Sequence, residues 1–394
     1  MNLEKRFIEI KEFLAEHQTL LDTEVLELFP FDNLPYTTWI SELIQLSQED
    51  LINLENNLDH SLINSSHYKS FLMKIQELTQ IEMVPPSDES IPNHLKRKLS
   101  LKKQHEIKQI KKLLNTNDSE NIIDIGSGAG HLSSLLLLGN NKTSLCIDCE
   151  EKYQQIGIDK LKREAPEILE RIQFKTSLIN ENFKVPQVSQ ALLIGLHACG
   201  DLSVNIIKGF SKSSTEELLS FGCCYHKLSP SQVNISKLSK VHYIKLTNHA
   251  LTMASKSFKS LNYKDFMTRE KVKKFRYTIH LFMHEKLKLG FKTLGNAKAE
   301  DYNGTFSDYV KKYLIEAKNI KSEEIETYFT EKEPEVSTII SLGIIRSHLS
   351  RLVELYLILD RAIYLKEKNC EVQIKEVFNK SLSPRNIGIQ AKRI

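Results

Sequence analysis

Residues 121–138 have the sequence Asn121-Ile-Ile-Asp-Ile-Gly-Ser-Gly-Ala-Gly-His-Leu-Ser-Ser-Leu-Leu-Leu-Leu138. Three isoleucines among the first five residues predict a short buried strand. Gly126, Gly128 and Gly130 predict a sharp turn, because glycine adopts backbone conformations that a Cβ atom disfavours. The apolar run that follows predicts a helix, whose first turn has free N–H groups. A strand, a glycine turn and a helix in this order are typical of the nucleotide-binding turn of a doubly wound α/β sheet.

The glycine spacing and the nearby acids indicate which ligand this turn binds. A dinucleotide site uses Gly-x-Gly-x-x-Gly, but here the third glycine comes one residue early and His131 takes its expected place. The strand carries an acid near its end, Asp124, which repels a pyrophosphate but accepts hydrogen bonds from an ammonium group. This favours S-adenosylmethionine, with Asp148 after the next strand accepting from the ribose hydroxyls. The alternative is a Rossmann-like domain that has lost its ligand.

Length and composition limit the class of protein. A chain of 394 residues with 41 % hydrophobic and 26 % charged residues is typical of a globular protein of two or three domains. Early charged residues interrupt any apolar leader, and no segment approaches the ~20 apolar residues that span a bilayer. Six cysteines do not make a disulfide framework over this length. We therefore expect a cytoplasmic or nuclear protein with no membrane partner.

The chain is predicted to have two domains. Helical spacing of apolar residues predicts an N-terminal helical domain over residues 1–95, which ends in a turn-rich linker. Residues 96–394 are predicted to form a Rossmann-like α/β domain, with a mostly helical insertion at about 228–335 after its fifth strand. A long helix over 339–366 and two final strands then predict the closing hairpin of a seven-stranded class I methyltransferase sheet.

Charge is unevenly distributed and indicates candidate partners. Residues 1–100 carry a net charge of −9 and residues 101–394 a net charge of +13. The acidic N-terminal helices are a candidate surface for a protein partner. The insertion interleaves lysines with aromatic residues, which predicts RNA binding, and residues 264–292 are its most basic part. The alternative is an amphipathic cap with its aromatic side chains inward. The aromatic residues are Phe258, Tyr263, Phe266, Phe275, Tyr277 and Phe282.

Reactive side chains follow the fourth and fifth predicted strands. Because parallel strands present their carboxyl ends at one edge, where ligands bind, we expect these side chains to lie together beside the glycine turn. The catalytic candidates are His197, Cys199, Asp201, Cys223, Cys224, Tyr225 and His226.

Several roles remain open for these candidates. Either histidine could act as a general base, since its pKa is near neutrality, and Tyr225 could stack on a base or orient a nucleophile. Cys223 or Cys224 could be a covalent nucleophile only as a thiolate, and free cysteines are more often buried small residues. The histidines and cysteines also have donor atoms for zinc, but adjacent cysteines do not match the usual C-x2-4-C pairs, so no metal site is predicted.

Several short segments resemble one known family. They are Lys102-Lys-Gln-His-Glu106, Asp124-Ile-Gly-Ser-Gly-Ala-Gly-His-Leu-Ser133, Gly195-Leu-His-Ala-Cys-Gly-Asp-Leu202, Gly222-Cys-Cys-Tyr-His-Lys-Leu228, Leu359-Asp-Arg-Ala-Ile-Tyr-Leu-Lys-Glu367 and Ser383-Pro-Arg-Asn386. In these the chain resembles the methyltransferase-like 25 family, also called ribosomal RNA adenine dimethylase domain-containing proteins. A more distant likeness is to tRNA 2'-O-methyltransferases.

The resemblance implies a class I fold and an S-adenosylmethionine-dependent methyltransferase. It gives more weight to Lys103, His105 and Glu106 as residues near the cofactor. The cofactor-binding candidates are Lys103, Asp124, Gly126, Ser127, Gly128, Gly130, His131 and Asp148.

The predicted substrate is RNA, and the alternatives are a protein substrate or an inactive methyltransferase fold that binds a partner. Enzymes that methylate an exocyclic amine usually carry an Asn/Asp-Pro-Pro-aromatic element after the fourth strand. This chain has His197-Ala-Cys-Gly-Asp201 there, so we expect no N6-adenine dimethylation.

Overall fold

The structure is a computed structural model that describes residues 2–28, 33–92, 99–115, 118–255, 260–290, 294–295 and 297–394. Contacts group the chain into two compact units. The sheet unit comprises Met1–Leu21, Leu78–Lys259 and Ser350–Ile394, and the helical unit comprises Asp22–Glu77 and Ser260–Leu349. The domain boundary predicted at residue 95 lies outside the described residues.

The described residues form helices and strands with the following bounds. The helices are α1 (Leu3–Glu16), α2 (Gln18–Asp22), α3 (Thr37–Gln45), α4 (Gln48–Asn57), α5 (Ser66–Thr79), α6 (Leu101–Asn115), α7 (His131–Leu136), α8 (Glu151–Glu164), α9 (Pro166–Leu169), α10 (Asp201–Lys212), α11 (Lys237–Val241), α12 (Asn248–Ala254), α13 (Tyr263–Glu285), α14 (Phe306–Tyr313), α15 (Ser322–Glu331), α16 (Glu333–Ser347) and α17 (Ser350–Lys366). The strands are β1 (Asn121–Ile125), β2 (Thr143–Asp148), β3 (Ile172–Thr176), β4 (Ala191–Cys199), β5 (Glu217–Cys223), β6 (Cys370–Glu376) and β7 (Ile387–Arg393).

The sheet has seven strands in the order β3-β2-β1-β4-β5-β7-β6. Strands β1 to β5 are parallel, and β7 runs antiparallel between β5 and β6. The chain reverses direction across the sheet between β3 and β4, which are not neighbours, and such a switch point is where doubly wound sheets bind ligands. The predicted fold class, an α/β class I methyltransferase sheet, is confirmed.

The glycine turn after β1 has the backbone that its sequence predicts. Gly126, Gly128 and Gly130 have φ angles of 74°, 53° and 67°, a region that favours glycine. The Gly126 N–H donates to the Ile147 carbonyl of β2 at 2.8 Å. A Cβ atom at Gly130 would lie 2.9 Å from the Phe174 ring, so the turn packs tightly against the sheet.

The loop that joins β6 to β7 is held against α6. The Gln109 side-chain amide donates to the Val377 carbonyl at 2.7 Å, and His105 Nε2 accepts from the Asn379 N–H at 2.8 Å. Phe378 stacks on Phe221 of β5 with ring centroids 4.6 Å apart. These contacts bring the last part of the chain to the same edge of the sheet as the predicted site.

The N-terminal helix belongs to the sheet unit, so the predicted N-terminal helical domain does not coincide with either unit. The reason is packing on α17: Phe7 is fully buried and stacks on Tyr356 at a centroid distance of 4.8 Å. Apolar spacing predicts that α1 has a buried face, but it does not indicate which element covers that face.

The prediction of one long helix over residues 339–366 is wrong, because the structure has two helices there. α16 ends at Ser347 and α17 begins at Ser350. The Leu349 N–H bonds to the Arg346 carbonyl at 3.2 Å, a tighter turn than the α-helical pattern. Apolar residues continue across the break, so hydrophobic periodicity alone does not reveal it.

The helical unit is built around aromatic side chains. Trp39 stacks on Tyr68 at a centroid distance of 4.5 Å, and the Tyr68 hydroxyl bonds to His348 Nε2 at 3.0 Å. Phe275 of α13 packs edge-on against Phe306. Trp39 therefore packs within an aromatic cluster of this unit.

The aromatic residues of the basic insertion mostly point inward. Phe266, Phe275 and Phe282 are buried, whereas Tyr263 is 55 % exposed. Phe258 lies outside the described residues. This arrangement matches the alternative of an amphipathic cap with its aromatic side chains inward, since a buried ring is not available to stack on a base.

Within the described part of the chain, no helix combines the length and the apolar character needed to cross a membrane.

Gly157 of α8 is predicted to be required for packing against the glycine turn. A Cβ atom there would overlap the Ala129 carbonyl, whereas Gly343 of α16 has nothing within 4 Å of such an atom. We expect Gly157→Ala to destabilise the protein by roughly 1–3 kcal/mol, as overpacking does. The matched control Gly343→Ala should be neutral or stabilising by about 0.5–1 kcal/mol, because alanine favours helices. Urea unfolding measures both, and equal effects would contradict the packing argument.

Candidate functional site

Two neighbouring strand ends form the centre of the site. The pairing of β4 with β5 shifts register between Gly195 and Ala198, and it then places Cys199 opposite Cys223. His197, inside this irregularity, has φ 56°, and Cys224, directly after β5, has φ 51°. Positive φ is uncommon for residues with side chains and is often found at functional sites. The predicted meeting of these two strand ends is therefore present in the structure.

Three thiols meet at this edge. The Sγ atoms of Cys199, Cys223 and Cys224 all lie within 4.8 Å of one another. Cys199 and Cys223 are 3.1 Å apart, and both thiols donate to the His197 carbonyl, at 3.5 and 3.2 Å. Burial raises the pKa of Cys199 and Cys223 above the ordinary thiol value. A neutral thiol is a poor nucleophile, so this geometry does not favour a covalent role for these two cysteines.

A buried acid holds the histidine on β4. The carboxylate of Glu106 is 3 % exposed, and its Oε1 lies 2.9 Å from His197 Nε2. The Ser383 hydroxyl donates to the same oxygen at 2.5 Å, and the Lys102 ammonium lies 3.6 Å away. Burial would raise the pKa of Glu106, but the bonds from His197 and Ser383 and the charge of Lys102 outweigh burial and lower it. Glu106 is therefore ionised at neutral pH and His197 Nε2 is the donor.

The glycine turn contacts the acid after β2. The Gly128 N–H donates to Asp148 Oδ2 at 2.8 Å. A Cβ atom at Gly128 would have nothing within 4 Å, so the turn leaves open space on that side. Asp148 is half-buried, and its other oxygen accepts from the Glu150 N–H at 2.9 Å. A carboxylate beside a glycine turn with free space is suited to accepting ribose hydroxyls.

Asp124 has a different environment from the one its predicted role requires. Its carboxylate is 2 % exposed and accepts from the Ser133 hydroxyl at 2.8 Å. Burial raises the pKa of Asp124 to about 6, while the Ser133 bond acts in the opposite direction and the charge of Asp148 raises the pKa further. Because the carboxylate is used inside the domain, the geometry does not support a contact with a ligand ammonium group.

Three predicted catalytic residues have neighbours that indicate structural roles. Asp201 accepts from the Ser229 backbone N–H at 2.8 Å and from the Ser229 hydroxyl, which ties the start of α10 to the loop after β5. Tyr225 is 2 % exposed, so its ring is not available to stack on a base. The His226 side chain is exposed, and its backbone N–H donates to the Ser255 hydroxyl at 3.2 Å.

Two further predicted cofactor residues are His131 and Lys103. His131 lines a small, largely apolar cavity together with Ala129 and Gly157. Burial lowers the pKa of His131, and the charges of Lys160 and Lys103 lower it further. Lys103 itself is exposed on α6. The structure thus brings His197 together with the three cysteines, and Gly128 together with Asp148. His131 lines a cavity with residues of α8.

Sequence reasoning missed one residue of this site and underweighted another. Ser383 bonds to Glu106 across 277 positions of sequence. Glu106 has a helix position that also suits a solvated charge, so its spacing gives no sign of burial. The signal that could have identified both was the pair of segments that resemble the family, since Glu106 ends the first and Ser383 begins the last.

Comparisons with known proteins identify a methyltransferase domain in this chain. Residues 102–231 match the family model described as a methyltransferase domain. The chain is 26 % identical over 231 residues to probable methyltransferase-like protein 25 of Mus musculus, and 25 % identical over 230 residues to that of Homo sapiens. Each match covers 52 % of this chain and 38 % of the relative. A solved SAM dependent methyltransferase from Aquifex aeolicus is 17 % identical, covering 34 % of this chain and 72 % of that one, with a TM-score of 0.26.

These matches confirm the resemblance to the methyltransferase-like 25 family. The chain carries a methyltransferase domain over residues 102–231, which include Glu106, the glycine turn, Asp148 and all three clustered cysteines. The chain spans well under half the length of the curated relatives that it matches.

Ser133 is predicted to stabilise the domain more at high pH than at low pH. Its hydroxyl favours the ionised form of Asp124, whose folded pKa of about 6 lies above the ordinary value of 3.8. The bond is therefore strongest above pH 6 and weakens as the pH falls through 6. We expect Ser133→Ala to cost about 1.5–3 kcal/mol at pH 8 and less at pH 5. The control is Ser134→Ala, whose hydroxyl bonds only locally to the His131 carbonyl at 3.1 Å among the contacts of the described residues. A pH-independent loss for Ser133→Ala in urea unfolding would contradict this assignment.

Proposed function

We propose that this chain, with a methyltransferase domain over residues 102–231, is an S-adenosylmethionine-dependent methyltransferase that acts on RNA. The observation that carries the proposal is the contact between the glycine turn and the acid after β2, where Gly128 N–H meets Asp148 at 2.8 Å. It lies at the switch point of a sheet whose strand order is that of class I methyltransferases.

Two observations support a fit between the described residues and the cofactor. Gly128 has open space where a side chain would otherwise stand, and Asp148 is a half-buried acceptor beside it. Gly126, Ser127 and Gly128 would hold the cofactor with their backbone, and Asp148 would accept from its ribose hydroxyls. When bound, S-adenosylmethionine supplies an electrophilic methyl group on a sulfonium ion. Asp124 supports the turn indirectly, because its carboxylate accepts a hydrogen bond from Ser133 on α7, the helix that follows the turn.

His197 is the proposed general base. Its Nε2–H is held by the Glu106 carboxylate at 2.9 Å, so the neutral ring has its free lone pair on Nδ1. The side chain is 31 % exposed, and we propose that Nδ1 accepts the proton of a substrate hydroxyl or amine. Glu106 and Ser383 act as positioning residues, because they fix the tautomer and the orientation of the ring. Removing a proton from the nucleophile is the step that such a base contributes to methyl transfer.

RNA is the proposed substrate class on the basis of charge. Residues 101–394 carry a net charge of +13, which favours a polyanionic partner. Since Phe266, Phe275 and Phe282 are buried, the support comes from charge and not from aromatic stacking. The protein partner of the acidic N-terminal helices stays a prediction.

Cofactor binding is tested first by calorimetric titration of S-adenosylmethionine into the purified protein. We expect Gly128→Arg to abolish binding, because its side chain fills the space at the turn. Asp148→Ala should weaken binding by about 10-fold or more through loss of a charge-assisted acceptor worth roughly 1.5–3 kcal/mol. The matched control is Asp159→Ala on α8, an exposed acid whose carboxylate accepts from the Gln155 side chain of the same helix. Unchanged affinity in Asp148→Ala would reject the ribose-acceptor role, and no binding to the wild type would favour an inactive fold.

The proposed base is tested with methyl-labelled cofactor and total RNA as the acceptor. We expect label in ribonuclease-sensitive material, and His197→Asn should lower its rate of appearance by about 10²–10⁴-fold without weakening cofactor affinity. Glu106→Gln should lower the rate by a smaller factor, since the ring keeps its position in part. The matched control His226→Asn should retain activity because that side chain is exposed. Label in protease-sensitive material would replace RNA with protein as the substrate, and equal losses in both histidine variants would reject His197 as the base.

A further inference from the structure

The three clustered thiols have no role in the proposed methyl transfer and suggest a second function for this edge of the sheet. We propose that Cys199, Cys223 and Cys224 bind a thiophilic metal ion of the zinc class. The Sγ atoms of these residues come from two strand ends and lie within 4.8 Å of one another. Sulfur is the donor that zinc and related soft ions prefer in proteins. The proposal depends on this geometry alone and would stand if the chain had no methyltransferase activity.

The backbone explains how adjacent cysteines face the same point. In an extended strand, Cys223 and Cys224 would point to opposite faces of the sheet. Cys224 instead adopts φ 51° at the start of the short turn Tyr225–Lys227, which redirects its side chain. The turn is fixed by the Lys227 N–H, which donates to the Cys224 carbonyl at 2.9 Å. Adjacency in sequence, which argues against a zinc site in a regular strand, is therefore no obstacle here.

The third ligand position is set by the sheet. Cys199 is paired in register with Cys223, so their side chains lie side by side on neighbouring strands. The Gly200 N–H donates to the Cys223 carbonyl at 3.0 Å and holds the two strand ends together. Gly200 has φ 53°, and a Cβ atom there would lie 2.6 Å from the Lys227 carbonyl oxygen, so a side chain at this position would displace the turn that carries Cys224.

The sulfur spacing is close to that of a metal thiolate site. With a zinc–sulfur distance of about 2.3 Å and tetrahedral angles, ligand sulfurs lie roughly 3.8 Å apart. The distances in the cluster include 3.1 Å between Cys199 and Cys223 and extend to at most 4.8 Å. The metal-bound spacing lies between these two values.

The cluster is also accessible to an ion. Cys223 is 7 % exposed, whereas Cys199 and Cys224 are half-buried, so one side of the cluster faces solvent. Three protein thiolates leave a fourth tetrahedral position for water or another ligand. The described residues thus supply a partly enclosed three-sulfur site with an open position, an arrangement that differs from a closed structural zinc site.

The experiment uses the 394-residue chain, reduced with a phosphine, stripped of metal with a chelator and titrated with Cd²⁺. Cadmium has the same ligand preference as zinc and gives an ultraviolet sulfur-to-metal charge-transfer band. We expect one equivalent of Cd²⁺ to bind, and to displace Zn²⁺ from protein loaded with zinc beforehand, because thiolates favour the softer ion. Cys224→Ser should weaken binding by at least about 100-fold, since even outer-shell partners of metal sites contribute about 10–100-fold.

Matched variants separate loss of a ligand from loss of fold. Cys224→His keeps a metal-binding donor and should retain Zn²⁺ binding where Cys224→Ser does not. Cys149→Ser, at an exposed cysteine, and Cys370→Ser, at a buried cysteine on β6, should bind as the wild type does. Circular dichroism verifies that each variant is folded. The proposal is overturned if the reduced wild type shows no charge-transfer band, if Cys224→Ser keeps it, or if Cys149→Ser loses it.

Discussion

The buried carboxylate of Glu106 is the constraint on which the rest of the site depends. A buried charge is unfavourable unless donors surround it, and here the donors come from β4, through His197, and from the β6–β7 loop, through Ser383. These two hydrogen bonds require α6, β4 in the middle of the sheet and the closing β6–β7 hairpin to assemble at one place. The ionised Glu106 carboxylate therefore couples segments that are far apart in the chain. It also fixes the orientation of His197 at the ligand-binding edge.

Asp124 is the second buried carboxylate of the site, and its environment changes its pKa in the opposite direction. Asp124 has a hydroxyl donor in Ser133 but lies near the charge of Asp148, and its pKa is raised, whereas the pKa of Glu106 is lowered. The difference follows from the number and charge of the donors, since both groups are buried. Carboxyl groups whose pKa values are pushed apart in one site commonly have different tasks. Here Asp124 bonds to the helix after the glycine turn, and Glu106 holds the proposed base.

Local sequence patterns predicted the parts of this fold that local interactions determine. Alternation of apolar residues and glycines identified β1, the turn and β2, because a turn with positive φ at Gly126 has few alternatives to glycine. The break between Ser347 and Ser350 was missed because apolar residues continue through it. The bond between Ser383 and Glu106 spans 277 positions, and no local pattern encodes a contact at that separation. The left-handed conformation of Cys224 was also hidden, since its neighbours predict only a strand end.

His197 connects the acid–base pair with the thiol cluster. Its ring bonds to Glu106, while its carbonyl accepts from the thiols of Cys199 and Cys223 at 3.5 and 3.2 Å. The residue has φ 56°, so these contacts stabilise a backbone conformation that is otherwise unfavourable. An ion that replaced the thiol protons would remove both donors from this carbonyl. The position of the proposed base therefore depends on the state of the cysteines, because one peptide unit belongs to both groups.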